Sequence, residues 1–198
     1  MFKKSPLAAA ILFMVSFGAY ALPINYKFEG NGIFSVGGAT YGTTNLGADF
    51  TVTMSGDTVD VGTSLFGAGV PAISGLTATF GWGAGSATLS SSVYVFNSQS
   101  LETVGFGNAA NADLLDIFHS GLGSYDLISN ISFQEVGGNA YWSQWTNVAS
   151  SEGLITMGNI DPVRFSAQVS SSQVPEPSTL AILGLGLAGL VIARRKAI

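Results

Sequence analysis

The sequence predicts an all-β body, an antiparallel two-layer β-sandwich of jelly-roll-like form carrying one short helix, placed between two apolar end segments. Three observations lead to it. Apolar and polar residues alternate with period two along several runs, which sends one side of each run to a core and the other to water. Valine, threonine and aromatic residues fill those runs, while Gly, Asn and Ser fill the gaps between them. Charge is also divided sharply along the 198 residues: five of the seven basic residues, Lys3, Lys4, Arg194, Arg195 and Lys196, lie in the ends.

These divisions give five segments: 1–21, a secretory signal helix; 22–170, the β body; 171–178, a linker; 179–193, an apolar transmembrane helix; and 194–198, a basic tail. In the first, Lys3 and Lys4 precede the apolar run Leu7–Phe17, and Ala19 and Ala21 put small residues where a signal peptidase reads, so cleavage is expected after Ala21. A buried N-terminal helix is the alternative, but it would have to bury two lysines. The body keeps only Lys27 and Arg164 against eleven carboxylates, a formal charge of −9. Such a body repels nucleic acid and anionic lipid headgroups, and a nucleic-acid partner is excluded. No cysteine is present, which removes disulfides, thiolate chemistry and Cys-ligated zinc.

Within the body, Ile24, Tyr26 and Phe28 alternate with Asn25, Lys27 and Glu29. Ala48, Phe50, Val52 and Met54 alternate with polar residues, and Val59 and Val61 follow the turn Ser55-Gly56-Asp57, which predicts a hairpin. Leu76, Ala78, Phe80 and Trp82 form the next alternating run. Residues 92–97 read as a strand apolar on both sides. Leu127, Ile131 and Phe133 share one face of a further strand, and 141–146, 154–157 and 163–169 complete the set. In 111–120, Leu114, Leu115, Ile117 and Phe118 fall at helical spacing, with Asn111 or Asp113 as a cap and Gly121 as a stop. This is the predicted helix.

Candidate chemistry is sparse, and no catalytic residue, metal ligand or cofactor is expected. His119 is the single histidine, three residues from Asp116, but no G-x-S-x-G elbow accompanies it; an exposed polar residue at a helix end is the simpler reading. Asp57/Asp60 and Asp113/Asp116 are the nearest carboxylate pairs for a hydrolase, against their ordinary roles at turns and helix starts. No EF-hand-type loop is present for calcium. Gly184-Leu-Gly186-Leu-Ala-Gly189 fits a dinucleotide fingerprint but lacks the preceding strand and the downstream acid. Tyr141, Trp142 and Trp145 are candidate glycan-stacking residues of a carbohydrate-binding module, with core packing as the competing use.

The last segment is the most specific. Val174-Pro175-Glu176-Pro177-Ser178 is followed by an uncharged run and then by Arg194-Arg195-Lys196. The prolines keep Glu176 in extended, accessible backbone. Fourteen residues from Leu180 to Ala193 make a helix of about 21 Å against a hydrocarbon core of about 30 Å, a marginal span. The basic stop holds its end in the cytoplasm, and Lys3 and Lys4 do the same at the other end, so the body is exported.

The Pro-Glu-Pro motif, short Gly-rich apolar helix and terminal Arg cluster resemble the PEP-CTERM sorting signal of Gram-negative bacteria. The resemblance implies recognition by an exosortase, a membrane cysteine protease that processes the tail, and transient residence in the inner membrane. It also implies delivery to the cell surface or an exopolysaccharide matrix. It covers Val174 to Lys196 and transfers no fold or activity to the body. The reading for the body is a non-enzymatic structural or adhesive role, with a carbohydrate-binding module, a secreted hydrolase and a permanently anchored protein as alternatives.

Overall fold

Alternation along β1 (Pro23–Val36) is what starts the core: Ile24, Tyr26, Phe28, Phe34 and Val36 are buried while the residues between them, buried Gly32 apart, are open to solvent to varying degrees. The structure, a computed structural model, describes residues 21–63, 70–109, 112–135, 141–142 and 144–170. The signal segment before Ala21, the Pro-Glu-Pro linker, the apolar helix and the basic tail lie outside the described residues.

Among the described residues thirteen strands form two antiparallel sheets. The larger contains β1, β2 (Ala39–Tyr41), β3 (Ala48–Asp57), β6 (Ala78–Trp82), β7 (Gly85–Thr88), β11 (Ile131–Glu135), β12 (Val148–Ser150) and β13 (Gly153–Val169). Its main path runs β11-β13-β1-β3-β6-β7, with β2 on β1 and β12 on β13. The smaller contains β4 (Gly62–Thr63), β5 (Pro71–Leu76), β8 (Val93–Ser98), β9 (Thr103–Asn108) and β10 (Ala112–Phe118), in the order β10-β9-β8-β5-β4. The inner faces meet in one hydrophobic core. Phe28 of β1 packs on Phe106 of β9 at 5.1 Å between ring centroids, and Trp145 lies edge-on to Phe106 at 5.4 Å and to Phe80 at 5.6 Å. The body is thus all-β and β-sandwich-like, as its alternation predicts.

Several expectations are corrected. Residues 112–118 form β10, not a helix. The ladder with β9 shifts register between Asp113 and Leu115, so the extra residue lets Leu114 and Leu115 both enter the core. That bulge produces the doubled-leucine spacing that imitates a helical face. The hairpin expected across Ser55-Gly56-Asp57 does not form. β3 continues through that tripeptide to pair with Pro23–Asn25, and a 3-10 turn at Thr58–Asp60 then carries the chain to β4 in the other sheet. Leu76 ends β5 and Ala78 begins β6, so the run Leu76–Trp82 is divided between the two sheets. Leu127 is not on a strand; it sits at φ 64° in a turn, where its carbonyl accepts from the Tyr26 hydroxyl at 2.7 Å. The expected strands 154–157 and 163–169 are one strand, β13, bulged twice against β1 near Gly30 and Gly32.

Asn97 is the buried polar residue of the inner face of β8. Its Nδ2 donates to the carbonyls of Leu122 and Tyr125 at 3.0 and 2.6 Å, tying the 3-10 turn Ser120–Ser124 across the end of the sandwich. The Tyr125 hydroxyl donates to the Ser129 carbonyl, and burial pushes the pKa of both Tyr125 and Tyr26 up.

Phe106 touches both Phe28 and Trp145 and is fully buried. Phe106→Ala is expected to destabilise the fold by about 3–5 kcal/mol in denaturant titration. Leu46→Ala, at a side chain 77% exposed, is expected to change it by less than about 0.5 kcal/mol.

Candidate functional site

The outward face of the smaller sheet departs from the usual solvated pattern. Every residue of β8 is buried, although only alternate ones face the common core. Val93 and Val95 join that core, whereas Tyr94 and Phe96 form a separate outer cluster with Ala72 and Val70. Opposite them on β9 stand glycines: Tyr94 pairs with Gly107 and Phe96 with Gly105. The same glycines pair on their other side with Asp113 and Asp116 of β10. Side chains of directly opposed residues share a face, so two rows run across the sheet, Tyr94–Gly107–Asp113 and Phe96–Gly105–Asp116. The glycines make the floor of a trough, with aromatic rings on one wall and carboxylates on the other.

The second row extends further. Asp116 exchanges both backbone hydrogen bonds with Tyr141, at 2.8 and 2.9 Å, which places Tyr141 beside Asp116 on the sheet's outer edge. A cleft of about 370 Å³ opens along this face. It is bordered by Asp113, Asp116, Thr103 and Ser98, with Phe96 and Phe118 as apolar walls.

The two aspartates differ in environment. Asp113 accepts a 3.1 Å hydrogen bond from the Tyr94 hydroxyl, whose pKa is pushed up by burial and by Asp113. Asp116 is only 8% exposed, and its Oδ1 is sealed from solvent without a hydrogen-bond partner. That oxygen lies against Gly105, so close that a Cβ there would collide with it and with the Leu115 carbonyl. Glycine at 105 is therefore required by contact, not by backbone angle. Burial first, and the neighbouring charge of Asp113 second, push the Asp116 carboxyl up to about 8.

The other sequence candidates fall elsewhere. Trp145 is 0% exposed and belongs to the core, so the glycan-stacking expectation is corrected at that residue. Trp142 is half-buried against the core, and Tyr141, 39% exposed, is the one of the three on the outer edge, its hydroxyl accepting from Gln144 Nε2 at 3.3 Å. His119 caps the 3-10 turn Ser120–Ser124: its Nδ1 accepts from the Gly121 amide at 3.0 Å and its ring rests 4.3 Å from that of Phe133. Asp57 and Asp60 bracket the turn after β3. Among the described residues, no three His, Asp or Glu side chains converge to hold a metal ion. A second cleft of about 350 Å³ lies over Glu29, Asn31, Asp49 and Arg164 on the larger sheet. Phe96, Tyr94 and Gly105 were missed in the sequence; their signal was a strand apolar on both faces followed by a Gly-x-Gly strand.

Compared with known families, residues 173–196 match the PEP-CTERM protein-sorting motif. The tail is a PEP-CTERM sorting motif. It supports an exported protein bearing a sorting signal, and it implies processing by exosortase-type machinery and sorting to the cell surface. No curated protein and no solved structure matches the chain. Among the described residues no helix is long and apolar enough to cross a membrane; the PEP-CTERM segment lies outside them. Ala21, the first described residue, is exposed, while Ala19, Val174–Ser178 and Arg194–Lys196 lie outside the described residues.

Asp116 binds more protons in the folded than in the unfolded chain between its ordinary value of 3.8 and about 8. Its contribution to stability therefore falls as pH rises through that window and is flat above it. Asp116→Asn is expected to be the more stable protein, its advantage growing from pH 4 to 8 at a limiting slope of about 1.36 kcal/mol per pH unit in paired denaturant titrations. Asp113 and Tyr94 remain in both proteins, and the coupling of Asp113 to Asp116 is part of the measured difference.

Proposed function

We propose that the body is a non-enzymatic structural or adhesive protein of the cell surface or extracellular matrix, delivered there by its tail. The observation that carries this reading is the PEP-CTERM motif joined directly to a closed, acidic β-sandwich. The Ser170 amide donates to the Pro23 carbonyl at 2.8 Å, so the chain enters and leaves the body at one point. The Leu22 amide and carbonyl are held by Thr58 beside it. Among the described residues β1 pairs with β3 and β13, and β13 with β1, β11 and β12, so these ladders are made within the body. With its basic residues concentrated in those ends, the released body would carry a formal charge of −9 and resist association with anionic surfaces.

In this reading signal peptidase cuts after Ala21, the tail rests transiently in the inner membrane, and an exosortase-type protease acts near Pro175-Glu176-Pro177. Exopolysaccharide is the candidate matrix partner. A hydrolase is the second reading, because Asp113 and Asp116 border one cleft and burial pushes the Asp116 carboxyl up to about 8. What weighs against it is that Asp116 has one oxygen sealed against Gly105 and that His119 is committed to capping a turn.

Intact-mass measurement of the protein from its native host, with and without the processing protease, tests the sorting reading. The expected mature form starts at Leu22 and ends near Pro177. A mature form that keeps Arg194-Arg195-Lys196 would overturn it.

A further inference from the structure

The trough on the smaller sheet brings two acidic side chains together with no cation beside them among the described residues. Asp113 and Asp116 both border the cleft, and no Lys, Arg or His is among the residues lining it. Asp113 has the Tyr94 hydroxyl as a partner. Asp116, more than nine-tenths buried, has no hydrogen-bond partner at the sealed Oδ1, which leaves Oδ2 as the oxygen on the cleft side. A carboxylate shares its charge between both oxygens, so a cation at Oδ2 would neutralise the whole group while Oδ1 stays against Gly105.

Ligand classes can be sorted on this basis. Anions meet two acidic side chains and a strongly acidic body, and are disfavoured. Calcium takes six to eight oxygens and is usually held by more than two carboxylates; the described residues bring no third one here. A neutral polyol could hydrogen-bond to both side chains, but it would bring no charge to favour an ionised Asp116. An organic ammonium brings one positive charge and several N–H donors in a compact head. Its carbon frame would lie on the Phe96 and Phe118 rings that wall the cleft and bury apolar surface there. Phe118 and Leu101 remain exposed at this cleft, 38% and 67%, as an apolar rim for such a frame.

We propose that the cleft between β8 and β10 binds a small organic primary amine, its ammonium held by Asp116 and Asp113 and its carbon frame lying against Phe96 and Phe118. Two sources share this chemistry, an alkyl diamine and an amino sugar. The site is independent of how the tail is processed, so failure of either proposal leaves the other standing.

Titration calorimetry on the full-length chain in detergent, with cadaverine and D-glucosamine as probes and D-glucose and calcium chloride as comparators, tests it. Saturable binding of at least one amine is expected, weakened tenfold or more by Asp116→Asn, a variant expected to fold at least as stably as the parent. Asp113→Asn, which removes the second acidic group and with it part of the charge acting on Asp116, is also expected to weaken binding. Binding of cadaverine but not glucosamine assigns an alkyl amine, and binding of glucosamine assigns an amino sugar. The proposal is overturned if neither amine binds, if glucose binds as tightly as glucosamine, if calcium occupies the site in preference to both amines, or if folded Asp116→Asn and Asp113→Asn bind the amines unchanged.

Discussion

The antiparallel pairing of β1 with β13 is the contact on which the body depends. It joins residues more than a hundred positions apart in sequence, from Ile24 with Val169 to Val36 with Ile155. Closing a loop of that length costs about 4 kcal/mol of chain entropy. The cost is met by burying Ile24, Tyr26 and Phe28 beside Val163, Phe165 and Ala167, each large apolar side chain contributing roughly 1.5–3 kcal/mol. The two bulges of β13 keep its apolar residues turned inward as it crosses the glycine-containing middle of β1. Because the first and last strands are neighbours at the centre of the larger sheet, the chain's entry and exit are also neighbours. A removable address at each end can therefore be attached to the body without forming part of its structure.

The second sheet is held on the first by aromatic contacts centred on Phe106. That ring meets Phe28 at one side and Trp145 at the other, and Phe80 closes the group from the larger sheet. Once Val104 and Phe106 are fixed inward, the alternate residues of β9 must face outward, and these include Gly105 and Gly107. The trough is thus a consequence of the core: small residues on the outward face of a strand whose inward face is locked. The aromatic wall from β8 and the acidic wall from β10 then stand on either side of backbone. The absence of a side chain at 105 is what allows the Asp116 carboxyl to lie flat on the sheet.

Electrostatics acts on two scales here. Over the whole chain, basic residues are confined almost entirely to the ends, so the body repels anionic surfaces. Locally, Asp116 is buried beside another carboxylate with no cation lining its cleft, and its proton affinity rises accordingly. By contrast, the exposed pair of Lys27 and Glu29, 2.7 Å apart, is expected to add little to stability.

The sequence by itself determined the all-β body, the strands with clean alternation such as Pro23–Phe28 and Phe50–Met54, and the sorting tail. Each is a local property: a period-two pattern reports one buried face, and a short motif read by a processing enzyme needs no fold to be recognised. Only the tertiary structure decided that 112–118 is a bulged strand, since a doubled leucine at a bulge and a helical stripe have the same spacing. Only it decided that Trp145 is a core residue and Tyr141 an edge residue, because exposure depends on which strands arrive from far away in sequence. The trough is of the same kind. Gly105, Phe96 and Asp116 come from three strands, and no run of sequence states that a glycine will separate an aromatic ring from a carboxylate.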